Sequence, residues 1–211
     1  ESTRPVQLSL TPPRRTQLSG YWSAATLSPD GRSVALVARD PSGENHIWFQ
    51  QLDSPEATLL PGTGNVMSTF WSPDSRFLAY LDFSDKKLKK VAVAGGSPET
   101  LCAAPGGRGG SWGRKGDILF APVAQGPLYR IRESGGEPVQ ATWLDTARNE
   151  AAHRFPCFLP DGEHFLFAAL PPGPEGWDIF AGSLGSKEVR KIMTARSAVT
   201  YAEPGYVLFV R

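Results

Sequence analysis

Ser68-Thr69-Phe70-Trp71-Ser72-Pro73-Asp74-Ser75-Arg76-Phe77-Leu78-Ala79-Tyr80 is the stretch whose reading decides the fold. An apolar run ends in an aromatic, breaks at Ser-Pro-Asp and resumes as a second apolar run. Proline presets φ for the second position of a type I turn, and serine suits the first. Aspartate at the third position can bond backbone within the turn, and a small residue at the fourth lets the chain reverse. Two β-rich runs joined this way read as an antiparallel hairpin.

The unit recurs. Upstream stands Leu27-Ser28-Pro29-Asp30-Gly31-Arg32-Ser33-Val34-Ala35-Leu36, and downstream Phe158-Leu159-Pro160-Asp161-Gly162-Glu163-His164-Phe165-Leu166-Phe167. A degraded copy without proline, Trp112-Gly113-Arg114-Lys115-Gly116-Asp117-Ile118-Leu119-Phe120, lies between them, and a partial one, Glu203-Pro204-Gly205-Tyr206-Val207-Leu208-Phe209, closes the chain. The residues before the turns, Leu27, Trp71, Trp112 and Phe158, fall at intervals of roughly 41 to 46 residues, a repeat-architecture period.

A second signal runs in phase. Gly95-Gly96-Ser97-Pro98 and Gly135-Gly136-Glu137-Pro138 occupy one slot of the repeat, and Asp53-Ser54-Pro55-Glu56 and Gly185-Ser186-Lys187-Glu188 the same slot of two others. A strand-like run precedes each: Ile47 to Leu52, Leu88 to Val93, Leu128 to Ile131 and Asp178 to Leu184. A short one follows, such as Ala57 to Leu60 or Glu99 to Leu101. Each repeat therefore reads as four short strands, and four-stranded units of this length signal an all-β propeller. Blades are expected over about 20–62, 63–104, 105–142 and 150–193, with part of a fifth at 196–211 and an N-terminal strand and lead-in at 1–19. The best helical candidate, Leu144 to Ala152, is short and polar and reads as a loop with one helical turn.

Packing explains the architecture. One four-stranded sheet cannot bury both faces alone, so successive sheets stack around an axis. Trp71, Trp112 and Phe158, on the innermost strands, are placed to fill the gaps. Such an aromatic buries up to about 150–250 Å², an upper bound of roughly 4–6 kcal/mol. A turn hydrogen bond contributes about 1 kcal/mol. Packing between blades should therefore dominate stability.

With 211 residues, 40% of them hydrophobic, the chain can bury a core. A net charge of +1 gives no global electrostatic case for nucleic acid or an anionic membrane. No apolar run approaches the roughly 18 residues of a spanning helix, so direct membrane insertion is not expected. Cys102 and Cys157 fall on an outer strand and on an inner strand two blades later, too far apart to bridge. Both read as buried, inert thiols. The chain opens on Glu1 and runs out after the second strand of a fifth blade, which reads as an excised piece and an incomplete ring. Segment Pro5 to Leu10 is strand-like, of the kind that completes a last blade, and unpaired blade edges invite homo-association.

At Ser-Pro-Asp-Gly-Arg and Gly-Gly-x-Pro the sequence resembles the TolB-type, WD-repeat-like β-propellers of bacteria. It is similar in particular to the C-terminal propellers of bacterial membrane-linked serine/threonine protein kinases. That likeness lies in Phe70-Trp71-Ser72-Pro73-Asp74-Ser75-Arg76-Phe77, Gly107-Arg108-Gly109-Gly110-Ser111-Trp112, Leu128-Tyr129-Arg130 leading to Gly135-Gly136-Glu137-Pro138, and His153-Arg154-Phe155-Pro156-Cys157-Phe158-Leu159-Pro160-Asp161-Gly162. It spans about Val6 to Arg211. The resemblance implies a propeller continuing past Arg211 and an extracytoplasmic, periplasmic location. It also implies a kinase domain and a membrane helix elsewhere in the parent protein. No kinase signature is in this chain, and Asp82-Phe83-Ser84 is not a kinase Asp-Phe-Gly.

The chemistry candidates read mostly as structure. Gly109-Gly110-Ser111-Trp112-Gly113 matches a nucleophile elbow, but that chemistry needs a following helix; the slot is an inner strand, where glycine permits close approach. Asp30, Asp74 and Asp161 each serve their own hairpin. Asp40-Pro41-Ser42-Gly43-Glu44 lacks EF-hand spacing, and His46, His153 and His164 lack zinc spacing, so neither metal nor cofactor is expected. Lys86-Lys87-Leu88-Lys89-Lys90 reads as a solvated hairpin with lysines protecting an edge.

One constellation stands apart. Four residues before Leu27, Trp71, Trp112 and Phe158 come Ser23, Met67, Arg108 and Arg154, with His153 adjacent and Arg196 in reach. Inner strands begin at a central channel, so these residues are expected at its mouth, where arginine suits bidentate recognition of carboxylate or phosphate. The competing reading pairs the arginines with local acids such as Glu150 or has them cap loop carbonyls. The expected function is a non-catalytic binding or sensor module for a protein partner or small anionic ligand, without nucleic acid, as the extracytoplasmic part of a kinase. The alternatives are the gating propeller of a prolyl-oligopeptidase-type serine peptidase and a TolB-like envelope scaffold.

Overall fold

The computed structural model describes residues 10–19, 24–171 and 176–210. Five antiparallel sheets follow one another along the chain. The first contains β1 (Gln17–Leu18), β2 (Ala25–Leu27), β3 (Ser33–Arg39), β4 (Asn45–Gln51) and β5 (Thr58–Leu59). Its inner position is split: β2 pairs with the near end of β3 and β1 with the far end. The second sheet is β6 (Val66–Trp71), β7 (Phe77–Asp82), β8 (Lys87–Ala92) and β9 (Glu99–Ala103). The third is β10 (Gly110–Trp112), β11 (Asp117–Phe120), β12 (Tyr129–Arg132) and β13 (Val139–Gln140). The fourth is β14 (Ala152–Phe158), β15 (His164–Leu170), β16 (Trp177–Ser183) and β17 (Val189–Ala195), and the fifth is the pair β18 (Thr200–Ala202) and β19 (Tyr206–Leu208).

The repeated turn is the same device four times. Gly31, Ser75, Gly116 and Gly162 donate their N–H to the carbonyls of Ser28, Ser72, Gly113 and Leu159, closing the reversal. Each of these fourth residues has φ between 60° and 78°, the left-handed region that glycine enters without cost. The small fourth residue is therefore a conformational requirement, which Ser75 meets under strain. In the first two turns Asp30 and Asp74 accept from Ser28 and Ser72 hydroxyls at 2.5 and 2.6 Å and from the Arg32 and Arg76 amides. The third turn lacks a carboxylate; Asp117 instead sits on β11, paired with Arg132 at 3.0 Å.

Burial is high on the second strands of the four larger sheets, such as β3, β7, β11 and β15, and low on their outermost strands. Every residue of β6 is buried, whereas β9 and β17 are mostly exposed or half-buried. Because a blade is covered on both faces, β3 and β7 are nearly continuous apolar runs instead of alternating strands.

Four apolar clusters hold the sheets together, one at each junction. Trp71 packs on Ala35, Val37 and Ile47 of the first sheet. Trp112 meets Leu101 and Phe77 of the second, and Phe158 meets Leu119 and Ala121 of the third. Val199, Val207 and Phe209 pack on the fourth. Each inner-strand aromatic therefore covers the preceding blade. Leu27, in the same slot of the first sheet, is 58% exposed because no described sheet precedes it.

Leu144 to Ala152 contains a single 3-10 turn at Thr146–Arg148, capped by the Asp145 side chain. The segment Pro5 to Leu10 lies, except for Leu10, outside the described residues. The lysine run does not guard an edge: it occupies β8, which pairs with both β7 and β9. There Lys89 bridges Asp82 and Asp85, and Lys90 lies over the Phe77 ring. No helix among the described residues is long and apolar enough to cross a membrane.

Candidate functional site at the channel mouth

The inner strands β6, β10 and β14 begin at one end of the stack, and each brings one expected residue there. Met67 is the second residue of β6. Arg108 precedes β10 and extends its ladder through an N–H donated to Ala121 at 3.0 Å. Arg154 is the third residue of β14, opposite Ala168. The amide of Phe155 reaches the carbonyl of Arg108 at 3.4 Å, so the third and fourth sheets abut beside both arginines.

The guanidinium of Arg108 donates through Nη1 to the carbonyls of Gly106 and Gly107 at 3.0 and 2.9 Å, and that nitrogen lies 3.6 Å from the Met67 sulfur. Arg154 donates through Nη2 to the carbonyl of Ala124 at 2.6 Å. The two connections abut: the Gly106 amide donates to the Pro122 carbonyl at 2.9 Å, and a Cβ placed on Gly106 would lie 3.3 Å from the Ala124 nitrogen. Nε of Arg154 is buried without a hydrogen-bond partner. Burial, and after it the charge of Arg108, pulls the Arg154 guanidinium below its ordinary value. The arginines thus cap loop carbonyls, one of the two forms the competing structural reading took, and neither pairs with Glu150.

His153 does not belong to the mouth, and that expectation is corrected. Neighbouring residues of a strand face opposite sides, and His153 points into the junction of the third and fourth sheets, 2% exposed, with its ring 4.7 Å from that of Phe167. Ser23 lies outside the described residues. Arg196 is exposed in the connection after β17.

His153 joins a network absent from the sequence reading. Glu150 accepts from the Asp145 amide, from Arg148 Nε and from His153 Nε2 at 2.7, 2.9 and 3.0 Å. These bonds outweigh burial and hold its carboxyl below the usual range. An ionised carboxylate only accepts, so Nε2 carries the imidazole proton and Nδ1 accepts from the Thr142 hydroxyl at 2.8 Å. Burial keeps His153 below its ordinary pKa despite Glu150. This hydroxyl–imidazole–carboxylate array resembles a hydrolase relay in connectivity only. Thr142 is 2% exposed and its oxygen already accepts the Leu128 amide at 2.8 Å, which leaves no approach for a substrate carbonyl. The array clamps the 142–151 connection onto β14. Thr142 lies in the connection after β13 and His153 on β14, so no local spacing announced the contact.

The nucleophile-elbow pattern is likewise structural. Ser111 lies on β10, which leads by a turn into β11, and its Oγ accepts the Phe158 amide at 3.0 Å. A Cβ on Gly110 would stand 2.4 Å from the Phe70 ring, so the glycine there permits close approach between inner strands. Among the described residues no group of three His, Cys, Asp or Glu is arranged to hold a metal ion. At the opposite, turn-bearing end of the hub, Leu27, Trp71, Trp112, Phe158 and Tyr201 line a cavity of about 570 Å³.

No family model and no curated protein matches the sequence. Solved structures do. A protein described as TolB from Agrobacterium tumefaciens superposes with a TM-score of 0.72 at 16% identity, over 92% of this chain and 77% of that one. TolB from Acinetobacter baumannii gives 0.67 at 12% identity, over 87% and 46%. The structural neighbours are TolB-type β-propellers. An oligogalacturonate lyase in complex with manganese follows at 0.65 and 15%, over 93% and 58%. This chain spans about half the length of the Acinetobacter and lyase chains. The all-β, propeller-type architecture read from the repeats is thus the one found.

Proposed function

We propose that the chain is a non-catalytic binding module that takes a protein partner or a small ligand at the channel mouth. The supporting observation is convergence: Met67, Arg108 and Arg154, from three consecutive sheets, meet at the start of the inner strands. A stacked propeller holds such side chains rigidly, while the loops around them are free to vary. Fold alone does not decide the matter, since the same architecture carries a lyase. Against catalysis stand the engaged Ser111 and the closed Thr142–His153–Glu150 array.

A thermal-shift screen over metabolites and peptides tests this. Hits on the wild type that the Arg108→Ala/Arg154→Ala variant no longer binds support the mouth as the recognition surface. Hits bound equally by both contradict it.

The finer reading, an extracytoplasmic sensor attached to a serine/threonine kinase, rests on the sequence resemblance. The likeness to TolB structures favours a second reading, an envelope scaffold with periplasmic location. The complete open reading frame separates them: an upstream kinase domain supports the first, and its absence the second. A downstream Gly-x-Ser-x-Gly hydrolase domain would replace both with a peptidase gate.

A further inference from the structure

We propose that Arg108 and Arg154 together form one site for a single oxyanion, a carboxylate or a phosphate group, at the channel mouth. The inference rests on the mouth being the recognition face and assigns its chemistry.

Each guanidinium is half-buried and held by only part of its donor set. Arg108 uses Nη1 on the two glycine carbonyls, and Arg154 uses Nη2 on Ala124. Arg154 Nε is enclosed with nothing to donate to, an omission that buried polar groups seldom show. No carboxylate among the described residues lies within ion-pair distance of either arginine. Among the described residues Arg114, Arg130, Arg132 and Arg148 each have a carboxylate partner, and arginines without one, such as Arg32, Arg76 and Arg190, are exposed to water. Glu150, four residues before Arg154, is committed to Arg148, His153 and the Asp145 amide.

Two half-buried cations beside each other without an acid are costly, because removal from water is not repaid. An anion between them reverses the sign of that interaction. The carbonyl contacts fix one edge of each guanidinium, so the remaining donors are ordered before a ligand arrives, which lowers the entropy lost on binding. A planar fork of N–H donors matches the paired oxygens of carboxylate or phosphate, and an ammonium would not substitute for it. A neutral or cationic ligand would leave the repulsion in place.

The test uses isotope-labelled chain and follows the Arg108 and Arg154 Nε–H resonances while sodium phosphate and sodium acetate are titrated separately at constant ionic strength. The expected result is a saturable shift at Arg154 with at least one anion. Its midpoint should weaken about tenfold or more in Arg108→Gln, as loss of charge-assisted bonds implies. In Arg154→Lys, which keeps the charge and removes the fork, a similar loss is expected at the Arg108 resonance. Arg114→Gln, at the other end of the hub, should leave both unchanged. Saturation by phosphate alone assigns a phosphoryl ligand, and by acetate alone a carboxylate. No saturable shift with either anion, or one indifferent to Arg108→Gln, overturns the proposal. Such a failure alongside mouth-dependent hits in the ligand screen would leave the binding-module reading intact.

Discussion

The indole N–H of Trp71 donates to the carbonyl of Thr26 at 3.0 Å, joining the inner strand of the second sheet to that of the first. The same ring packs edge-on to Phe49 with centroids 6.3 Å apart. A contact that fills a gap between sheets and also satisfies a backbone carbonyl should be among the most costly to remove. Trp71→Ala is expected to destabilise by about 3–5 kcal/mol. Trp71→Phe, which keeps a ring and loses the hydrogen bond, should cost less than half of that. Urea unfolding checks both.

Asp74 holds its turn through two hydrogen bonds, one from the Ser72 hydroxyl and one from the Arg76 amide. Asp74→Ala should cost about 1 kcal/mol, several-fold less than Trp71→Ala in the same unfolding experiment. The reverse ranking would make the turns, and not the junctions between sheets, the source of stability.

Asp40 is half-buried and Asp161 exposed, and hydrogen bonds hold both carboxyls down to about 2. For Asp40 the Ser42 hydroxyl is the largest cause, and for Asp161 it is the Glu163 amide. Their folded values lie below the ordinary 3.8. The stability they supply is therefore complete above that pH and is lost as pH falls from there toward about 2. Carboxyl carbon titration by NMR should place both midpoints below those of exposed, unbonded aspartates, and Ser42→Ala should move that of Asp40 back up.

His153 carries a pH signature of its own. Burial holds its folded pKa below the ordinary 6.5. Above 6.5 the imidazole is neutral in both states and contributes no slope. As pH falls through 6.5 the unfolded chain takes up the proton first, and stability is lost down to the folded value. Unfolding midpoints should therefore decline between pH 7 and 5, and His153→Gln should flatten that decline.

Most of the fold was legible because the propeller writes its unit into local sequence. The four turns, the strand-like runs from Ile47, Leu88, Leu128 and Asp178, and the aromatics Trp71, Trp112 and Phe158 are short-range features repeated at a fixed period. The site was legible only in part. Arg108 and Arg154 could be placed near the starts of β10 and β14 by counting back from the aromatics. Their partners could not be foreseen, because the Gly106, Gly107 and Ala124 carbonyls come from connections that carry no pattern. His153 was misplaced since one residue of offset on a strand changes the face, and β14 is bulged between Arg154 and Cys157.

Both cysteines should react slowly. Burial raises the Cys102 thiol to about 11 and also raises Cys157, whose sulfur accepts the Tyr201 amide at 3.4 Å. Since the thiolate is the reacting species, alkylation by iodoacetamide at pH 7.5 should lag well behind a free cysteine peptide and accelerate on unfolding.

Hydrogen–deuterium exchange of the chain with and without a saturating hit from the ligand screen tests the central claim most directly. The account predicts added protection over residues 65–67, 106–109, 122–126 and 152–154, the backbone around the channel mouth, with the turns at 28–31, 72–75 and 159–162 unchanged. Protection confined to those turns, or to the cavity between Leu27 and Tyr201, would contradict it.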